Sequence, residues 1–229
     1  MTLQIGILVF PGVQQLDLTG PYEVFASLPD TKVHLIWKDR APITSATGLV
    51  LGPTMTFSDC PKLDVICVPG GGGVNALLED TETLAFVRTQ AKQARYVTSV
   101  CTGSLVLGAA GLLKGRKATT HWFAHDFLEK FGAIPVHGRV VRDGNLITAG
   151  GVTAGIDFGL AVVAELAGRP QAEAIQLGLE YAPEPPFAAG TPNEAPSAVL
   201  AAVQERLAPT RKAREAIIAK LTAAGSFAA

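Results

Sequence analysis

Tyr96-Val-Thr-Ser-Val-Cys-Thr-Gly-Ser104 is an apolar, β-rich run that stops at Cys101 among small residues and passes directly into an Ala/Leu/Gly-rich segment. A strand that turns this sharply into a helix needs small residues two before and two after the turning position, here Ser99 and Gly103, so that neighbouring backbone can pass. The pattern predicts a cysteine nucleophile elbow. It places the sulfur at the start of a helix beginning near Thr102, where unpaired N–H groups and the helix dipole favour thiolate over thiol. The ordinary alternative is a buried structural thiol. Cys67, inside the strand-like Asp64-Val-Ile-Cys-Val-Pro69, reads as core of that kind, and Cys60 sits in a Ser-Asp-Cys-Pro turn. With no CxxC or Cys/His cluster, neither zinc nor iron–sulfur is expected, and the metal expectation is none.

Outward from the elbow, short β-rich runs alternate with helical patterns. Gln4–Phe10 is followed by a helix from about Pro21, then Lys32–Lys38; Asp64–Val68 precedes a helix over Thr81–Ala94; Tyr96–Val100 and Ala118–His121 each precede a helix. Apolar strands separated by helices predict a parallel sheet covered on both faces, with right-handed crossovers. The expected fold is therefore α/β, a flavodoxin-like parallel-sheet sandwich with a cysteine nucleophile elbow and an added C-terminal helix. Thr44–Leu51 and Arg139–Ile147, the latter with an Asp143-Gly-Asn145 turn, read as hairpin additions to that sheet. Helices are expected over about Gly155–Leu166 and Gln171–Leu179. Beyond Ala182-Pro-Glu-Pro-Pro-Phe187, a Pro-rich crossing predicts a surface arm leading to a last helix at about Ser197–Ala223, ended or kinked at Pro209.

The 229 residues, 48% hydrophobic and 17% charged, suit one well-filled domain, 1–229, with 183–229 as its arm and peripheral helix. A formal net charge of −1 without long Lys/Arg runs offers no electrostatic footprint for nucleic acid or an anionic membrane. No run reaches the roughly 18 apolar residues of a membrane span. Three cysteines without a secretory leader point to a reducing cytoplasm. A last helix on a long arm suits packing on its own subunit or on a partner's, and a homodimer is the expectation. Its Arg206, Arg211, Lys212, Arg214 and Lys220 read as a solvated face.

Ligands of open parallel sheets bind beyond the carboxyl ends of the strands. Four loops fall there: Pro11-Gly-Val-Gln-Gln-Leu-Asp-Leu-Thr-Gly-Pro21, Pro69-Gly-Gly-Gly-Gly73, the elbow, and His121-Trp122. Asp17, between two leucines, reads either as a helix cap ahead of Gly20-Pro21 or as an acid/base group whose pKa is raised by apolar surroundings. Beside a thiolate that rise would be larger, and the two acids would share a proton. The glycines read either as a tight turn or as an oxyanion hole, with Gly71 or Gly72 acting together with the Thr102 N–H. His121 reads either as a pocket residue or as a core-satisfied imidazole under Trp122.

The segments Asp17-Leu-Thr-Gly-Pro21, Val68-Pro-Gly-Gly-Gly72, Ser99-Val-Cys-Thr-Gly-Ser104 and Gly111-Leu-Leu-Lys-Gly-Arg-Lys-Ala-Thr-Thr-His-Trp122 resemble the PfpI branch of the class I glutamine amidotransferase-like superfamily. Gly150-Gly-Val-Thr-Ala-Gly-Ile-Asp157 extends the likeness over nearly the whole chain. Many members carry His directly after the nucleophile, where this chain has Thr102, and deglycase-like members carry Glu where it has Asp17. Within the branch the chain is most similar to the isocyanide hydratase group. That resemblance implies a lyase that hydrates a small apolar isocyanide through a Cys101 thioimidate, with Asp17 as general acid/base, Thr102 orienting the reacting groups, and no cofactor. It also implies that Gly150 and Val152 lie near Cys101, with the Val152 carbonyl as the point of approach. A cysteine redox sensor and a glyoxalase or deglycase are the alternatives. AraC-type regulators share the module but add a DNA-binding domain, and with a single helix after the arm a transcriptional function is not the expectation.

Overall fold

The computed structural model describes residues 2–224, so Met1 and residues 225–229 of the expected 1–229 domain lie outside the described residues. In chain order the elements are β1 (Leu3–Leu8), α1 (Gln15–Ala26), β2 (Thr31–Trp37), β3 (Ile43–Thr44), β4 (Val50–Leu51), β5 (Met55–Thr56), β6 (Val65–Val68), α2 (Val74–Leu77), α3 (Thr81–Ala91), β7 (Tyr96–Val100) and α4 (Gly103–Ala109). They continue with β8 (Lys117–Ala118), a 3-10 helix (Trp122–Phe131), β9 (Ile134–Pro135), β10 (Val140–Asp143), β11 (Leu146–Ala149), α5 (Ala154–Ala167), α6 (Arg169–Gly178) and α7 (Ser197–Ala223).

The main sheet has the order β10-β11-β7-β6-β1-β2-β5 and is parallel except for the antiparallel edge strand β10. Its central strands β6 and β11 are buried at every position, as a sheet covered on both faces requires. Helices flank it: α1 packs on α5 and α5 on α6, while α4 packs on α2, α3 and the 3-10 helix. This is the flavodoxin-like sandwich that the alternation of runs predicts. Among the described residues no helix is long and apolar enough to cross a membrane.

The differences from expectation have local causes. The Thr44–Leu51 hairpin forms its own two-stranded ladder rather than extending the main sheet, whereas the Arg139–Ile147 hairpin joins that sheet through β11. The run Ala118–His121 is not a strand of the main sheet. Only Lys117–Ala118 is extended, paired with β9, and the position beside β7 belongs to β11. Helix α1 begins at Gln15, not at Pro21; Gly20 and Pro21 lie inside it, where a Cβ on Gly155 of α5 would sit 3.0 Å from Pro21 Cδ. These residues therefore permit close approach of α1 and α5 and do not start a helix. Finally, α7 runs unbroken through Pro209. Proline removes one ladder N–H, and the anchors that follow it, the buried Arg214 and Ile218, fix the helix to the body of the protein.

The elbow allows almost no added volume. A Cβ at Gly103 would lie 1.9 Å from the Val68 carbonyl oxygen and 2.8 Å from that of Pro69, both backbone atoms that cannot swing aside. Gly103→Ala is expected to lower stability by at least about 3 kcal/mol, read as a fall in the urea midpoint; an unchanged midpoint would show that the crossing can widen.

Candidate active site

Four adjacent strands, β11-β7-β6-β1, point their carboxyl ends the same way and place four loops side by side. The loops carry Val152, Cys101, the Gly70–Gly73 run and Asp17. Cys101 stands at the turn with φ 54°, a left-handed conformation costly for any residue with a Cβ. Its backbone is fixed from both sides. The N–H donates to the carbonyls of Ala149 (3.1 Å) and Gly150 (2.8 Å), while its carbonyl accepts from the hydroxyls of Thr120 (2.8 Å) and Ser104 (3.3 Å). Gly150 thus acts through its carbonyl, as an anchor for the elbow.

Asp17 is in the first turn of α1 and does not cap it; its side chain is fully buried and turned to the neighbouring loop. Oδ2 accepts from the Gly70 N–H at 2.9 Å. Oδ1 is buried without a donor of good geometry, and the Cys101 thiol bonds to the carboxylate only loosely. Burial raises the Asp17 pKa to about 7 against the downward pull of the Gly70 amide and of the Cys101 hydrogen bond. The thiol thus opposes the rise in Asp17 instead of enlarging it. Nor is Cys101 a standing thiolate, as its place at a helix start suggests. Burial, with the Asp17 charge next, holds its pKa well above the usual thiol value, against the Thr102 and Val152 backbone amides. A seven-residue helix start is outweighed by desolvation. Val152 meets the sulfur through this amide and not through its carbonyl.

Thr102 is buried; its Oγ1 accepts from the Gly71 N–H at 3.1 Å. Of the two expected oxyanion donors Gly71 is therefore engaged, at φ 131°, while a side chain at Gly72 would meet nothing within 4 Å. Cys101, Thr102, Gly71, Gly72, His121 and Val152 all line one cavity of about 740 Å³. His121 begins the 3-10 helix, accepts from the Phe123 N–H at its own Nδ1 (3.3 Å), and is held neutral, its pKa lowered to about 4 by burial and by Arg214. The expectation that sequence reasoning missed is the far wall. Helix α7 supplies Val203, Leu207 and three arginines to this cavity. Arg211 pairs with Asp126 at 2.7 Å and Arg214 is buried, so these two leave the expected solvated face, whereas Arg206, Lys212 and Lys220, the last paired with Glu79 at 2.6 Å, stay exposed. The sequence carried a signal: Leu207, Arg211, Arg214, Ile218 and Leu221 fall on one helical stripe, where a cation does not belong unless it is used.

A parallel α/β sheet with a strained cysteine at a strand end and a buried carboxylate against it defines a cysteine-elbow protein. Residues 4–165 match the DJ-1/PfpI family model, and the chain belongs to that family. It is 65% identical to an isonitrile hydratase of Pseudomonas putida over 97% of this chain and 98% of that protein. A ThiJ/PfpI family protein from Pseudomonas syringae superposes with a TM-score of 0.92 at 50% identity, covering 95% of this chain and 91% of that one. The transcriptional regulator GbdR of Pseudomonas aeruginosa is 31% identical over 62% of this chain but only 39% of its own length.

Asp17 carries a stability signature. Its pKa is about 7 in the fold against 3.8 as the ordinary value, so its favourable contribution is complete below 3.8 and is lost as pH rises through about 7. Above that the fold must hold a buried carboxylate. Asp17→Asn is expected to be more stable than the native protein at about pH 8.5, by on the order of a few kcal/mol, with the gain vanishing near pH 4 in urea titrations. A gain that does not depend on pH would mean that the carboxylate is not charged there.

Proposed function

We propose that this protein is an isocyanide hydratase, converting R–N≡C and water to the N-substituted formamide. The full-length likeness to the Pseudomonas putida isonitrile hydratase carries this reading. The site chemistry suits it, because an isocyanide carbon must receive both a nucleophile and a proton.

In the resting pair one proton is shared between Asp17 and Cys101. The Asp17 carboxylate takes it from the thiol, the Cys101 sulfur bonds to the terminal carbon, and the lone pair of that carbon takes the proton back from Asp17. The product of this step is a thioimidate, R–N=CH–S–Cys101, beside an ionised Asp17. That carboxylate then removes a proton from water as the water oxygen bonds to the thioimidate carbon. Asp17 passes that proton to the nitrogen, and as the carbon–sulfur bond breaks the hydroxyl proton of the adduct goes to the Asp17 carboxylate, releasing R–NH–CHO and the thiolate. The two acids return to their starting protonation. Thr102 orients the reacting groups, and the amides of Thr102 and Gly72 face the developing charge. Every step uses side chains of this chain and water, with no cofactor or metal.

The same reading takes 1–229 as a single PfpI-like domain with 183–229 as its arm and helix, working in the cytoplasm as a homodimer. Burial of Cys101 and its raised pKa weigh against the redox-sensor alternative, since peroxide oxidises the thiolate. Purified protein is expected to convert cyclohexyl isocyanide to N-cyclohexylformamide, followed by chromatography. Cys101→Ala should abolish turnover, and Asp17→Asn should reduce kcat/KM by about a thousandfold or more, within the range for lost acid/base catalysis. No formamide from reduced, folded native protein would overturn the reading, and full activity in Cys101→Ala would overturn the covalent step.

A further inference from the structure

We propose that Arg214 of α7 is a positioning residue for Cys101, holding a fixed positive charge at the inner wall of the cavity and orienting the Gly71 peptide that supports Thr102. The inference rests on Cys101 being the nucleophile of the reading above, and it concerns a part of the chain outside residues 4–165 that match the family.

Arginine is almost never buried unless paired, and Arg214 is 6% exposed. Its partners are neutral. Nε donates to Asn75 Oδ1 at 2.8 Å and Nη2 to the Gly71 carbonyl at 3.3 Å, and among the described residues no carboxylate forms an ion pair with it. Asn75 is fixed in turn, since its Nδ2 donates to the Thr210 carbonyl of α7 at 3.2 Å. A desolvated guanidinium without a counterion is costly, so the arrangement makes sense where negative charge appears nearby during use. The acids on this side are Cys101, which lines the cavity, and Asp17 buried behind it, which together carry one charge when they share one proton.

The other charged groups do not take this role. His121, facing the cavity from the start of the 3-10 helix, is neutral in part because Arg214 is positive. Arg211 is committed to Asp126 by two hydrogen bonds of 2.9 and 2.7 Å. Arg206 lines the outer part of the wall and is exposed. Arg214 alone is both buried and attracted by the charge on Cys101, the attraction working against the loss from burial. Its grip on the Gly71 carbonyl also has a path to the nucleophile, because the N–H of the same glycine holds Thr102 Oγ1.

The test is the pH dependence of Cys101 alkylation by iodoacetamide in the full chain, followed by mass spectrometry, which reads the thiol without needing an isocyanide. Arg214→Met should move the alkylation curve up by about one pH unit, so that alkylation near pH 8 is about tenfold slower. Arg214→Lys should recover much of the loss. Asn75→Ala, which keeps the charge but loosens it, should fall between native and Arg214→Met. A purely structural role predicts the opposite: an undocked α7 would admit water, relieve burial and make Cys101 react faster. An unchanged curve or faster alkylation in Arg214→Met would overturn the proposal. Failure here with formamide production intact would leave the hydratase reading standing, and the reverse outcome would isolate that reading as the error.

Discussion

The structure depends on one strained residue. Cys101 can keep its left-handed backbone only because β11 accepts its N–H, two hydroxyls hold its carbonyl, and Gly103 leaves space for the Val68 and Pro69 carbonyls. The supports come from β11, from Thr120 and from the turn's own Gly103 and Ser104, so sheet and turn sustain the strain together. A relaxed φ would turn the sulfur away from Asp17 and from the Val152 amide. The order of strands is thus a condition of the chemistry and not merely its scaffold.

The electrostatics follow from that placement. Two acids are pressed together where water is scarce, and burial pushes both toward their protonated forms. A free, highly ionised thiolate would suit rapid reaction with any electrophile. A thiol that surrenders its proton only to one adjacent carboxylate is slower to react unspecifically, and it keeps the proton where a substrate carbon can collect it. The pair trades raw nucleophilicity for a nucleophile and an acid delivered together.

Much of this was legible in the sequence. The small residues around Cys101 and the apolar strands announce the elbow and the sandwich, because sterics and burial act on near neighbours. The four carboxyl-end loops are legible in part: position alone picks out Asp17, the glycine run and His121, but the His121 loop follows no strand of the main sheet, and the loop after β11, with Gly150 and Val152, stands beside the elbow instead. Ala118–His121 is short and carries the β-branched Thr119 and Thr120, Leu146–Ala149 is short and apolar, and only pairing across the sheet decides which lies beside β7. A cap is the alternative reading of Asp17 because short carboxylates near a helix start commonly take that role. Arg214 stands out on the apolar stripe of α7, but its partners lie 139 and 143 positions away, so nothing local shows that the stripe meets Asn75 and Gly71.

The wall that α7 adds is encoded apart from the reactive pair. Elbow, carboxylate and glycine run belong to the stretch matching the family, while Val203, Leu207 and Arg214 come after the Pro-rich crossing. Arg214 ties the two stretches together through Asn75 and Gly71, whereas Val203 and Leu207 only line the cavity. A lineage could therefore reshape what enters by exchanging those two apolar residues while keeping the arginine, and the old chemistry would be retained under a new roof.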